Sequence, residues 1–377
     1  MKAAVTIARV LVGALFIFSG LVKAIDPLGL SYKMQEFFEV WANDGFMKGM
    51  MMWLYGHALL FSVLMIALEV LLGFALLIGW KKNITSWLLL LLTLFFTFLT
   101  AFVLFTGKIR ACGCFGDCIP LTPIQTFTKD IILTLLIILI IIGRKYIQPL
   151  FKKAAVSLSL MLLCLLGVSF LQYYVLHHLP LKDCLPFKPG NNILELRKMP
   201  KDAVQDKYDY VFVYTKNGEK KEFKMNALPD SSWAYADRKQ ILIEKGKNNI
   251  PLINDFSLST AAGIDTTEAI LSQPGEYYLL FVKNMEELPK IPSKDQSMVI
   301  ALVAKEKPVY IIASQRDKAV ERYGNIMIAG KALPLTILTC DATAIKTAAR
   351  NNITLYKMNG PVVQGKWGGS DIDKAIQ

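Results

Sequence analysis

Residues 122–143 read TPIQTFTKDIILTLLIILIIIG, and whether they cross a membrane decides the fold of the chain. The uncharged part, Ile131–Gly143, is shorter than the ~20 apolar residues a helix needs to span a bilayer. Upstream, Thr122 offers an N-cap oxygen, Pro123 suits a first helical position, and Gln125 stands three residues after the cap. A helix begun there is long enough to span, but it carries Lys129 and Asp130 into the outer part of the membrane. Ala3–Ile25, His57–Trp80, Ile84–Phe105 and Ala154–Leu176 are equally long and apolar, so the spacing predicts five spans. The first carries Arg9 and Lys23 and no clear small-x-small cleavage site follows it, which reads as a retained helix and not a signal peptide.

Composition agrees. The chain has 377 residues, 54% of them hydrophobic and 19% charged, with a mean hydropathy of +0.40, which excludes disorder and fits poorly with a wholly soluble protein. Residues 1–179 hold 14 Lys+Arg against 7 Asp+Glu, and residues 180–377 hold 28 against 23, well mixed. The net +12 therefore has no dense patch behind it, which argues against a nucleic-acid partner. A membrane half is joined to a soluble half.

Cytoplasmic loops are enriched in Lys and Arg. Lys81-Lys82 and the cluster Arg144, Lys145, Lys152 and Lys153 mark two such loops, so the N-terminus is expected inside. The 26–56 loop, the 106–122 loop and everything after the fifth span then lie outside, which for a bacterial inner membrane is the periplasm. Of the six cysteines, Cys112, Cys114, Cys118, Cys184 and Cys340 fall on that disulfide-permitting side, and Cys164 falls within the membrane.

Ionisable residues inside a membrane need partners. The heights of Arg9 in the first span and Glu69 in the second predict an Arg9–Glu69 pair that holds the bundle. Lys23 and Asp26 read as snorkelling interfacial residues. Lys129 and Asp130, a turn or two below the next motif, are placed to tune it.

That motif is Arg110-Ala111-Cys112-Gly113-Cys114-Phe115-Gly116-Asp117-Cys118. Its cysteines and glycines suit three ends. A thiol–disulfide site needs a reachable thiolate, favoured here by Lys108, Arg110 and Lys129, and a second thiol to resolve the mixed disulfide. A metal site with Cys184 as fourth ligand and a structural disulfide are the other two. Cys184, just beyond the fifth span, is also placed to pair with Cys112, Cys114 or Cys118, whereas Cys340 at a strand end reads as core filling.

At these residues the chain resembles the DoxX/MauE group of four-helix membrane proteins. The resemblance rests on Arg9…Gly13…Phe18-Ser19-Gly20…Lys23, Glu69, Cys-Gly-Cys-Phe-Gly-Asp, and Phe127-x-Lys129-Asp130, and covers about residues 3–145. It implies a DoxX-like four-helix core and redox work at the membrane: the MauE branch is associated with disulfides in periplasmic partners, and a DoxD relative is part of a thiosulfate:quinone oxidoreductase. Carried over, it points to Cys112, Cys114, Arg9, Glu69, Lys23, Lys129 and Asp130, with quinone as a candidate electron partner.

Beyond the fifth span, Pro180–Gly190 reads as a linker, and residues 208–244 alternate as strands with an Asn217-Gly218 hairpin signal. Strands are then expected at Tyr277–Val282, Val309–Ala313 and Leu335–Thr339, each followed by a helix, and after them a hairpin and a last helix from Asp371. That order resembles a thioredoxin fold over roughly 270–377. It departs from one where Lys283-Asn284-Met285-Glu286 replaces Cys-x-x-Cys and where Asn351-Asn352-Ile353 lacks the proline, which implies no thioredoxin catalysis there. A DoxX-like bundle with a degenerate thioredoxin-like domain resembles a family common in Bacteroidetes.

The expected organisation is a four-span bundle over 1–150, a fifth span over 151–179, a linker and small β-rich unit over 180–260, and a soluble α/β thioredoxin-like domain over 261–377. The leading function is thiol–disulfide exchange by Cys112, Cys114, Cys118 and Cys184 with periplasmic proteins. The rival is a non-catalytic envelope assembly protein with structural cysteines, and a transporter is third. No phosphate loop or His-Glu-x-x-His occurs, and three histidines cannot build a multi-histidine metal centre.

Overall fold

The computed structural model describes residues 1–110, 112–244, 246–288, 293–324, 326–328, 331–333 and 335–376. Its first half is helical: α1 (Lys2–Ala24), α2 (Pro27–Asn43), α3 (Lys48–Gly56), α4 (Ala58–Ile78), α5 (Lys82–Thr106), α6 (Pro123–Ile142) and α7 (Ala154–His177). Of these α1, α4, α5, α6 and α7 are long and apolar enough to cross a membrane. The capping box that starts α6 is formed: Gln125 N donates to Thr122 Oγ1 at 3.3 Å, and Thr122 N donates to Gln125 Oε1 at 3.0 Å. Helices α1 and α4 approach closely because glycines face each other. A Cβ on Gly73 would lie 2.8 Å from the Gly13 carbonyl oxygen, and one on Gly20 would lie 2.5 Å from Val70 Cγ2.

Two expectations for this half change. Residues 26–56 are not a plain loop but form α2 and α3. Asp26 caps α2 by accepting from Gly29 N at 3.1 Å, with Pro27 at the first helical position. The second change concerns Arg9, which does not meet Glu69. Its guanidinium donates to the carbonyl oxygens of Leu76 (2.8 Å) and Leu77 (2.6 Å) at the end of α4, and to that of Gln148. The last carbonyls of a helix have no internal partner and carry partial negative charge, so a nearby cation caps them.

The second half continues with α8 (Ile193–Leu196), β1 (Lys207–Lys216), β2 (Glu219–Lys224), β3 (Ala234–Glu244), α9 (Thr267–Leu271), β4 (Glu276–Val282), α10 (Lys294–Ala304), β5 (Val309–Ala313) and α11 (Arg316–Tyr323). Then come β6 (Met327–Ile328), β7 (Lys331–Ala332), β8 (Thr336–Thr339), α12 (Ala342–Ala348), β9 (Ile353–Asn359) and β10 (Val362–Gly368). A five-stranded sheet runs β10-β9-β4-β5-β8, with β4, β5 and β8 parallel and β9 and β10 antiparallel. Its central strand β4 is buried on both faces. Tyr277, Leu279 and Phe281 enter one core cluster while Tyr278, Leu280 and Val282 enter the other, the period of two that a strand dictates.

The first of those clusters also holds Phe187, Ile193, Ile253, Phe256 and Leu258. The α/β core therefore starts near 187 and not at 261, and only the three-stranded sheet β2-β1-β3 is a separate insert. The expected helix from Asp371 is a short 3-10 segment, Gly369–Ala375.

Side chains of the α/β domain grip the end of the bundle that carries the cysteine motif. Arg350 donates to Asp26 Oδ2 at 2.7 Å and to Asp117 Oδ2 at 2.6 Å. Lys366 pairs with Asp183 at 2.7 Å, and Asn351 Nδ2 donates to the His177 carbonyl at 2.9 Å. Around the ring of Tyr32, on α2, stand Lys283, Lys346 and Arg350, and the Lys283 ammonium donates to Tyr32 Oη at 2.9 Å. Burial, with Arg350 nearby, lowers Lys283 to about 8.

Candidate functional site

The loop between α5 and α6 folds under the α/β domain through a tight turn, Gly116 N donating to the Gly113 carbonyl at 2.9 Å. Both glycines have positive φ, +74° at Gly113 and +59° at Gly116, which explains their place between the cysteines. Ser19 of α1 fixes the loop by donating to the Cys114 carbonyl at 3.0 Å.

Cys112 and Cys114 are both free and buried, with their Sγ atoms 3.3 Å apart and hydrogen-bonded. The hydrogen bond between the two sulfurs lowers the Cys114 thiol below the ordinary cysteine value against the opposing effect of burial, and the Lys129 charge lowers it further. The same bond, with burial, raises Cys112 well above it. The contact thus favours the proton on Cys112 and the thiolate on Cys114. Lys129→Met should therefore move the Cys114 midpoint upward, because losing the cation destabilises the thiolate. The pH dependence of its alkylation by N-ethylmaleimide measures this, and an unmoved midpoint would show that the charge is not felt.

Beneath the pair lie two ion pairs. Lys129 binds Asp130 Oδ1 at 2.7 Å and lies 5.0 Å from the Phe115 ring centroid, and Thr100 donates to Asp130 Oδ2 at 3.1 Å. Lys23 is not interfacial. It is 2% exposed, ion-paired with Glu69 of α4, and lies 4.9 Å from the Phe96 ring centroid. Glu69, buried beside α1, takes the nearer cation because Arg9 is committed to the far end of α4.

Cys118 and Cys184 form a disulfide that ties the loop to the chain leaving α7, with 4.9 Å between their Cα atoms. Cys184 is thus bonded and not available as a fourth ligand to the other thiols. Cys340 is buried in the α/β core beside Leu338 and Ile345, and burial pushes its thiol up to about 12. Among the described residues no group of three His, Cys, Asp or Glu is arranged for a metal ion.

An apolar cavity of about 280 Å³ opens beside the pair. Cys112, Gly113 and Cys114 form one wall, and Met34, Phe37, Phe38 and Trp41 of α2 face Phe95, Phe96 and Leu99 of α5.

Residues 1–143 match the family model described as Methylamine utilisation protein MauE. Over α1 to α6 the bundle is MauE-like. Residues 208–245, which cover most of the three-stranded insert, match a Domain of unknown function (DUF8463). No curated protein and no solved structure matches the chain.

Within the MauE-like bundle the structure gathers Cys112, Cys114, Lys129, Asp130, Lys23 and Glu69 around one point, while Arg9 and the Cys118–Cys184 bond stand apart from it. Sequence reasoning missed the cavity wall on α2. Leu30, Met34, Phe37, Phe38 and Trp41 recur at helical spacing after an Asp-Pro start, a signal that was present. It also missed, as polar members of the site, Ser19, which stands within the Phe18-Ser19-Gly20 motif, and Thr93 and Thr100, for which the sequence carries no pattern.

Proposed function

We propose that the MauE-like bundle is a membrane thiol–disulfide redox protein in which Cys112 and Cys114 carry electrons between a periplasmic protein and a quinone in the bilayer. The observation that supports this most is the pair itself: two free sulfurs in hydrogen-bonding contact, one favoured as thiolate, at the wall of an apolar cavity. Cys-x-Cys closes a small strained disulfide, and strained disulfides are the labile, exchangeable kind. A cavity lined by Phe37, Trp41, Phe95 and Phe96 suits a flat apolar ring, and α2 and α5 supply its walls.

The exchange balances. A partner's two thiols reduce the Cys112–Cys114 disulfide, which leaves the partner oxidised. The pair then gives two electrons to quinone, which takes up two protons and leaves as quinol. Lys129, with Asp130 orienting it, supports the Cys114 thiolate between the two half-reactions.

The disulfide Cys118–Cys184 supports an oxidising compartment for this end of the bundle, and with it a cytoplasmic N-terminus and a periplasmic α/β domain. We read that domain as thioredoxin-like in its run β4-α10-β5 and closing hairpin β9-β10, with Lys283–Glu286 in place of the cysteine motif. Lys283 and Asn351 are engaged with the bundle, so its role is to hold the loop and receive the partner.

Trapping thiols in cells with an alkylating mass tag tests the proposal. Cys112 and Cys114 should show a mixed population whose reduced fraction rises when the quinone pool is held reduced. A population that never changes would favour the rival reading, an envelope assembly protein. For that reading the specific observations are the Cys118–Cys184 staple and the Arg350 clamp.

A further inference from the structure

Oxidising a Cys112 thiol and a Cys114 thiolate to a disulfide yields two electrons and one proton, whereas quinone needs two electrons and two protons to become quinol. One proton must come from another group at the cavity. Two ammonium groups line it, Lys23 and Lys33. Lys33 stands at the rim, its side chain 29% exposed and paired with Glu36. Lys23 lies within the bundle at 2% exposure, and its partner Glu69 also lines a second, smaller chamber on the far side.

That chamber, about 20 Å³, is bounded by Ser19, Glu69, Thr93, Lys129 and Asp130 among apolar residues. It is large enough for one water, and water is retained in a cavity where polar groups await partners. Thr93 Oγ1 is such a group: it is buried and has no hydrogen-bond partner among the described residues. The chamber therefore connects the Lys23–Glu69 pair with the Lys129–Asp130 pair under the thiols.

Resting on the redox reading above, we propose that Lys23 is the second proton donor to the quinone, and that Glu69 and a single water in the Thr93 chamber return the proton to it. In the step, the Cys112 S–H proton and one Lys23 N–H proton go to the two quinone oxygens. The two electrons come from the sulfurs as the Cys112–Cys114 bond forms, and Lys23 is left neutral beside Glu69. Charge is conserved: a thiolate and an ammonium are consumed, and a neutral disulfide, amine and quinol remain. When the next partner dithiol restores the Cys112 thiol and the Cys114 thiolate it releases one proton, which passes through the chamber water and Glu69 to Lys23 and resets the site.

The test uses full-length reduced protein in lipid nanodiscs and a short-chain naphthoquinone, followed by stopped-flow absorbance. Lys23→Arg keeps the charge and the partner for Glu69, but an arginine does not give up its proton. It should slow quinone-dependent thiol oxidation by about 10²-fold, the lower end of what a general acid contributes. Binding of the same naphthoquinone, measured by equilibrium partition, and oxidation by diamide should stay within threefold of wild type. Glu69→Gln should slow repeated turnover when a dithiol re-reduces the pair, and the wild-type quinone step should slow in D2O. Lys23→Arg at the wild-type rate, a loss carried by Lys33→Met instead, or equal wild-type rates in H2O and D2O would overturn the proton route and leave the redox reading standing. Wild-type thiols that naphthoquinone never oxidises would remove both.

Discussion

Cys114→Ser should lower quinone-linked thiol oxidation by about 10⁴-fold or more, the lower end of the losses seen when one member of a catalytic group that acts as a unit is removed. Contact with the Cys112 sulfur and the charge of Lys129 favour the thiolate at Cys114, and no sulfur outside the pair is placed to replace it: Cys164 lies on α7, packed against Ala24, Ile66 and Val70. Cys118 and Cys184 are bonded to each other, and Cys340 is in the core of the α/β domain. Cys112→Ser should lose turnover equally but differ in kind. Its Cys114 thiolate can still attack the disulfide of the oxidised partner, the reverse of the forward exchange, and with the resolving thiol gone a mixed disulfide accumulates that a non-reducing gel of trapped cells displays. Retained turnover in either variant would refute the assignment of the pair.

The second large effect is expected at Arg350. Its side chain is 6% exposed, and it pairs with Asp26 at the start of α2 and Asp117 in the cysteine loop. Arg350→Ala leaves two partly buried carboxylates without their cation, and breaking a buried pair this way costs about 3–5 kcal/mol. Asp117 is 42% exposed, so water recovers part of that, and the lower end of about 3 kcal/mol is expected. Thermal unfolding measures the loss. Hydrogen exchange should rise together in residues 27–43 and 113–118, which belong to the bundle, while β4 and β5 stay protected. Alkylation of Cys114 should also speed up, since the loop is no longer held through Asp117. Arg350→Lys should recover only part of the stability, because an ammonium lacks the planar fork that reaches both carboxylates. An Arg350→Ala protein with unchanged unfolding and unchanged exchange in 113–118 would show that the domain does not hold the loop.

The parts of this molecule legible in its sequence are those governed by local rules. Thr122-Pro123-Ile124-Gln125 announced the start of α6 because a capping box is a contact between neighbours three residues apart. Strands β4 and β5 were readable from short apolar runs rich in β-branched and aromatic residues. Residues 26–56 were read as a loop although α2 has both a cap and helical spacing, since its 17 residues carry too many polar groups to count as a span. The start of the α/β core was misplaced for a different reason. Phe187 and Ile253 join it from either side of the insert, across a sequence gap that no pattern bridges.

The cysteine motif shows the same division at the site. Three cysteines, two glycines and the Lys129-Asp130 step below them marked by sequence alone the stretch that carries the free thiol pair, because these residues are close along the chain. Which thiols are free and which are bonded was left open there. Spacing allows Cys118 to pair with Cys112, Cys114 or Cys184, and only the return of the chain after α7 brings Cys184 to Cys118. Ion pairing was decided in the same way. Height along two helices allowed Arg9 or Lys23 to reach Glu69, but rotation of α1 about its axis turns Lys23 toward α4, and the open carbonyls at the end of α4 capture Arg9. Sequence by itself determined the spans, the strands and the cysteine loop, which depend on periodicity and near neighbours. Tertiary structure alone decided the partners, because a charge or a thiol in a low-dielectric interior binds whatever the packing brings within about 3 Å.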